Sequence, residues 1–239
     1  MHFMLAHFRR RIKLLFEKDN FWQKSAEHNM QQQSKSRFII DLNTAPRVFT
    51  VDNFLTKDEC LHMIGRGRSA GMERAVVAGE SDGVISKGRT NNVAWLEHFT
   101  DETMKAVALR VASLVGIPLH YAEKFQLIHY GLDEQYKPHF DAFDPNTSSG
   151  KRNWEGGGQR LITALGYLNT PQKGGATIFP KLKLSVPAEA GKLVVFHNCQ
   201  AGSLTRDPLS LHGGAPVEAG DKWAFNLWFR AEARRKPQI

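Results

Sequence analysis

One combination of side chains in this chain carries metal chemistry. His139 and Asp141 are separated by a single residue in the stretch YKPHFDAF. On a β-strand, residues i and i+2 point to the same face, so the imidazole and the carboxylate would lie side by side with Phe140 turned away. His212, in SLHGGAPV, can supply a third group. Two neutral imidazoles and one carboxylate on one face of an octahedron leave three positions open. Non-haem Fe(II) uses that arrangement where a cosubstrate and O2 both bind the metal. A His-x-Asp pair alone is weak evidence in a chain with ten histidines. His212 by itself reads equally well as an ordinary loop histidine, so the surrounding pattern has to decide.

Ten residues after His212 comes Lys222, at the start of KWAFNLWF. Strand alternation puts Ala224, Asn226 and Trp228 on the side of Lys222, and Phe225, Leu227 and Phe229 on the other. A lysine buried among such residues is destabilising unless an anion pairs with it. A bound dicarboxylate would do so, whereas a surface position would let the ammonium reach water. Gly156-Gly157-Gly158 is not a phosphate loop, because no Lys-Ser/Thr follows it.

The elements that must position these groups are read from pattern. Residues 47–53 alternate as a strand, and Thr56-Lys57-Asp58-Glu59 forms a capping box that starts a helix to about residue 66, with Cys60, Leu61 and Ile64 inward. A second helix is predicted from Thr100 or Asp101 to Val115, ended by Gly116 and Pro118. From residue 123 onward, short apolar runs alternate with turn clusters at 124–130, 136–140, 161–168, 176–179, 193–197 and 223–229. That spacing predicts a β barrel or sandwich behind the helices. Residues 144–159 read as a flexible loop beside the metal, and the pairs Gly174-Gly175 and Gly213-Gly214 read as turns.

With 239 residues and 41% apolar side chains, the chain suits one large domain. Its net charge of +8 is confined to the ends. Residues 1–37 hold eight Lys/Arg against three Asp/Glu, residues 230–239 four against one, and the stretch between them twenty of each sign. A neutral body argues against a groove that tracks nucleic-acid phosphates. No stretch of about 18 apolar residues spans a membrane. Phe8, Ile12, Leu15 and Phe16 recur at helical spacing among Arg9, Arg10, Arg11 and Lys13, which predicts a short amphipathic helix on the domain, with a membrane-surface or partner helix as the alternative. Charges interrupt the apolar run, so secretion is not expected, and two distant cysteines, Cys60 and Cys199, imply no disulfide framework. A cytoplasmic location is the expectation.

Five ordered segments carry a resemblance: PRVFTVDNFLTKDEC, FQLIHYGLDEQYKPHFD, QRLITALGYLNTPQKGGATIFP, VPAEAGKLVVFHN and DPLSLHGGAPVEAGDKWAFNLWFR. Over most of residues 45–230 the chain resembles the prolyl 4-hydroxylase family of Fe(II), 2-oxoglutarate-dependent dioxygenases. The resemblance implies a mainly β fold with flanking helices, a double-stranded β-helix of the jelly-roll, cupin-like kind. Separately, the polar linker composition of residues 23–37 and the charge at the two ends mark a basic segment and linker over 1–37, a domain over 38–230 and a basic tail over 231–239. The resemblance also implies that His139, Asp141 and His212 ligate Fe(II) and are catalytic. Lys222, Tyr130 and Thr177 would bind 2-oxoglutarate, and Tyr136, Arg160 and Trp228 would lie near substrate. The residues alone leave other readings open: core hydrogen bonds for Thr177 and Tyr130, a salt bridge for Arg160, core packing for Trp228. Arg89-Thr90-Asn91-Asn92 stands where the family often carries an Arg-Thr-Ser-type segment, and its Asn pair departs from that. The implied reaction uses O2, with ascorbate as a further cofactor, and hydroxylates a prolyl residue of a protein or peptide. The same chemistry on a free amino acid or on methylated nucleic acid, and a non-catalytic module of the same fold, are the alternatives.

Overall fold

The computed structural model describes residues 38–75 and 88–234. The N-terminal amphipathic helix and linker expected over 1–37, and the end of the basic tail, lie outside the described residues. Every strand pairing is antiparallel. One sheet has the order β1 (Ile39–Thr44), β2 (Arg47–Val51), β11 (Leu193–His197), β7 (Arg160–Tyr167), β14 (Lys222–Arg230), β5 (Phe125–Tyr130), β4 (Asn92–Leu96) and β3 (Glu73–Arg74). A second has the order β10 (Leu184–Val186), β9 (Thr177–Phe179), β12 (His212–Gly214) and β6 (Tyr136–His139). β13 (Val217–Ala219) pairs with β8 (Lys173–Gly174) beside them. This is the expected jelly roll with flanking helices.

The period-two pattern sorts the core. Phe225, Leu227 and Phe229 of β14 pack with the helices in the larger apolar cluster, while Ala224 joins Leu165, Phe179, Val194 and Phe196 between the two sheets. α1 (Lys57–Ser69) begins with the predicted capping box: Thr56 Oγ1 accepts from the Glu59 amide at 3.1 Å, and Glu59 Oε2 accepts from the Thr56 amide at 2.9 Å. Cys60, Met63, Ile64 and Gly67 face inward. Leu61, expected inward, is 57% exposed, because the helix turns by about 100° from Cys60 to Leu61 and Met63 fills the inner position instead. α2 (Glu102–Val115) is capped by the Asp101 carboxylate and ends at Gly116, whose φ of 70° a side chain would strain. No helix among the described residues is long and apolar enough to cross a membrane.

Two further expectations are corrected. Residues 144–159 contain α3 (Ser148–Glu155), whose start is fixed by Thr147 accepting from the Gly150 amide. No apolar stripe marks it, because α3 lines the mouth of a cavity rather than covering core. Gly213-Gly214 is a strand, not a turn. A Cβ on Gly213 would lie 2.8 Å from the Tyr136 carbonyl oxygen, so glycine is what lets β12 approach β6 closely. Gly213→Ala is therefore expected to lower stability by about 1–3 kcal/mol in denaturant titration and to weaken metal binding in the same sample, since the strands it separates carry the two histidines.

Candidate metal and cosubstrate site

The β12–β6 register places His212 directly opposite His139. Each ring is fixed by the same local device. Nδ1 of His139 donates to the Lys137 carbonyl and Nδ1 of His212 to the Ser210 carbonyl, both at 2.9 Å. A carbonyl can only accept, so the proton sits on Nδ1 and the lone pair of each Nε2 is left facing inward. Asp141 lies two residues beyond β6 rather than on it. Its carboxylate is drawn toward the long sheet by Thr163 of β7, whose Oγ1 donates to Asp141 Oδ2 at 2.7 Å. The carboxylate oxygens stand 3.8 Å from His139 Nε2 and 3.4 Å from His212 Nε2.

The ligand atoms of His139, Asp141 and His212 fall within 4.8 Å of one another, the one such cluster among the described residues. Two atoms bonded to one ion at about 2.1 Å and 90° apart lie about 3 Å from each other, so this donor set fits a facially bound Fe(II). Protonation states agree. Burial, then the neighbouring His212, hold the His139 pKa down at about 3, leaving the neutral imidazole that a metal requires. Burial alone would raise the Asp141 carboxyl, but His212, His139 and Arg160 outweigh it and hold it well below the ordinary range.

Beside this cluster is a narrow chamber lined by Tyr130, Thr177, His212 and Lys222 among others. Register builds it: Lys222 lies opposite Tyr130 across β14 and β5, and Thr177 opposite Gly214 across β9 and β12. Lys222 is only 2% exposed. Burial lowers its pKa to about 7. Among the described residues it has no carboxylate in ion-pair range, and its ammonium lies 5.1 and 5.3 Å from the Tyr130 and Tyr167 rings. The Tyr167 hydroxyl donates to Thr177 Oγ1 at 2.7 Å, which leaves the proton of Thr177 available to a ligand. Thr163 and Tyr167 were missed in the sequence, although period two along β7 puts both on the face opposite Ala164.

A larger cavity of about 480 Å³ opens on the other side of the cluster, lined by Trp95, Tyr136, Phe143, Arg160, Arg206 and Trp228 among others. Tyr136 stacks on His139 with ring centroids 3.5 Å apart. Arg160 makes the salt bridge and also lines this cavity. It forms a two-pronged ion pair with Glu123 at 2.7 and 2.9 Å, and its guanidinium lies 3.8 Å over the Trp228 ring at the cavity wall. Trp228 is buried against Arg160 and Trp95, yet its Nε1 has no hydrogen-bond partner among the described residues. Arg89 bonds to Asn91 and Gln126 and lies over Tyr136, so the departing Asn91 is an internal partner of that arginine.

Residues 125–230, which contain all of these proposed ligands, match the 2OG-Fe(II) oxygenase superfamily. Over 229 residues the chain is 31% identical to probable prolyl 4-hydroxylase 10 of Arabidopsis thaliana, covering 87% of this chain and 77% of that protein. The chain belongs to the prolyl 4-hydroxylase-type 2-oxoglutarate–Fe(II) oxygenases. It is a 2-oxoglutarate-dependent dioxygenase. Prolyl 4-hydroxylase 5 of the same plant is 30% identical over 73% of its length. The shared fold extends to the viral collagen prolyl hydroxylase of Paramecium bursaria Chlorella virus-1 in its 2-oxoglutarate complex (TM-score 0.61, 24% identity, 77% of this chain and 95% of that one). It extends also to a Trichoplax adhaerens prolyl hydroxylase bound to a hypoxia inducible factor peptide fragment (TM-score 0.57, 16% identity, 97% of this chain and 94% of that one).

A buried lysine with no carboxylate in ion-pair range among the described residues lowers the stability of the fold. Its folded pKa of about 7 lies below the unfolded value of about 10.4, so the fold favours the neutral amine. The penalty is full below pH 7 and fades as pH rises toward the unfolded value. Lys222→Met is expected to raise the stability of the cosubstrate-free protein by about 1–4 kcal/mol at pH 6, with the gain vanishing by about pH 10, and to abolish 2-oxoglutarate binding. Denaturant titrations across that range, with calorimetry for the cosubstrate, check both halves.

Proposed function

We propose that this dioxygenase hydroxylates prolyl residues of a protein or peptide, with His139, Asp141 and His212 as its Fe(II) ligands. When bound, Fe(II) together with 2-oxoglutarate and O2 supplies an oxidant that turns C–H into C–OH, while 2-oxoglutarate is converted to succinate and CO2. The observation that carries the reading is the pair of chambers meeting at the cluster, with His139, Tyr136, Arg89 and Asn226 lining both. One chamber offers an ammonium and hydroxyls to a dicarboxylate. The other is wide, aromatic and open enough for a peptide.

In this reading Lys222 binds the distal carboxylate of 2-oxoglutarate, assisted by Thr177 and Tyr130. Charge-assisted bonds of this kind contribute about 1.5–3 kcal/mol each. Tyr136 and Trp228 provide apolar walls that exclude water and orient the substrate ring, and Arg160 stiffens Trp228 from behind. A peptide is favoured over a nucleic acid because two of the cavity's arginines are matched internally, Arg160 by Glu123 and Arg206 by Asp144. Both cysteines are free and buried, which supports a reducing compartment such as the cytoplasm. Ascorbate enters the proposal as the reductant that keeps iron ferrous.

Purified protein with Fe(II), ascorbate and 2-oxoglutarate is expected to form succinate, faster with one member of a proline-containing peptide library, whose mass grows by one oxygen. His139→Ala should form none. Absence of succinate from metal-loaded wild type would refute the proposal. Trp228→Ala is expected to raise KM for that peptide about tenfold, equivalent to about 1.4 kcal/mol, with KM for 2-oxoglutarate unchanged.

A further inference from the structure

Asp141 and His212 reach the cluster from different parts of the chain, yet both are tied to Asn198, the residue that follows β11. Its side chain runs toward Asp141: Asn198 Nδ2 donates to Thr163 Oγ1 at 2.9 Å, and Thr163 Oγ1 donates to Asp141 Oδ2 at 2.7 Å. Its main chain runs toward His212. The Asn198 carbonyl accepts from the Asp207 amide at 3.0 Å, the Asp207 carbonyl accepts from Ser210 Oγ at 2.7 Å, and the Ser210 carbonyl is the acceptor of His212 Nδ1. Asn198, Thr163 and Ser210 are all buried.

The direction of the side-chain arm is set by proton count. A threonine hydroxyl has one proton, and an ionised carboxylate only accepts. Thr163 therefore spends its proton on Asp141 and can only accept from its other neighbour, so Asn198 must present its amide nitrogen. The other end of the amide shows the consequence: Asn198 Oδ1 is buried with no hydrogen-bond partner among the described residues. Native folds seldom leave such an atom unpaired, and here the opposite amide orientation would set two acceptors against one proton.

We infer that Asn198 and Thr163 are positioning residues that fix the rotation of the Asp141 carboxylate. Oδ2 is held by Thr163, and the carboxylate is kept from swinging to a two-oxygen grip that would consume a position needed by cosubstrate or O2. Arg160 Nη1, at 4.0 Å from Oδ1, is too distant to set that rotation. The inference rests on the reading of His139, Asp141 and His212 as metal ligands, and the experiment separates the two.

Co(II) alone would be titrated into apo protein under argon, with calorimetry for affinity and the visible d–d bands for geometry, for wild type, Thr163→Val, Thr163→Ser and Asn198→Leu. Circular dichroism of the apo proteins reports folding. Thr163→Val, close in shape but without a hydroxyl, is expected to bind Co(II) about 10- to 100-fold more weakly with altered bands, and Asn198→Leu about 10-fold more weakly. Thr163→Ser, which restores the donor, should recover affinity and bands to near wild type. Wild-type affinity and bands in folded Thr163→Val or in folded Asn198→Leu would overturn the inference while leaving the metal site standing. Failure of wild type itself to bind Co(II) would remove the metal-site reading and this inference with it.

Discussion

The close antiparallel approach of β12 to β6 sets the distance between two imidazoles, and the rest of the site is arranged around that distance. Strand pairing brings opposite residues to within about 5 Å at the Cα level, nearly the separation two histidines need in order to share an ion. A glycine beside His212 makes the approach possible, and carbonyls two residues before each histidine turn the rings. The carboxylate could not come from the same ladder, since it must approach from a third direction to form a triangular face. It is instead held from the other, long sheet by Thr163 of β7.

The two chambers follow different electrostatic rules. The narrow one holds a buried lysine with no carboxylate in ion-pair range among the described residues, so its charged form is disfavoured until an anion arrives. The wide one is settled in advance. Burial pushes the Glu123 carboxyl upward, but Arg160 and Arg230 more than offset it and keep Glu123 ionised, so that wall is held together as one ion-paired unit. Shape and aromatic contact are left to discriminate what enters there.

Much of this was legible in the sequence, for identifiable reasons. Period two along residues 222–230 placed Lys222 and the three core aliphatic and aromatic residues on opposite faces, and the capping box at Thr56 located the start of α1 to the residue. The resemblance of ordered segments then joined His212 to His139 and Asp141, a link of about 70 positions that periodicity cannot make. What escaped depended on partners that only topology brings together. Glu123, ahead of β5, meets Arg160 of β7 and Arg230 of β14, and Thr163 of β7 meets Asn198 and Asp141 from the ends of β11 and β6. β1 and α3 were missed for a different reason: each has one face in solvent or in a cavity, so its apolar pattern is incomplete, while the apolar run of β4 is too short for a period to show.

β14 serves both chambers, with Lys222 at one end and Arg230 about 27 Å away at the other. Arg230 holds the wall of the wide chamber by donating to the main-chain carbonyls of Asn153 and Gly158, and Arg234 adds a bond to that of Gly156. None of those acceptors is a side chain. The backbone path of α3 is thereby anchored independently of what its residues project into the cavity, whereas the narrow chamber is built from side chains in fixed register. Drift in the α3 sequence can thus explore new substrates while the oxidising centre stays constant, and divergence in selectivity within such a scaffold should concentrate on that helix rather than on the strands.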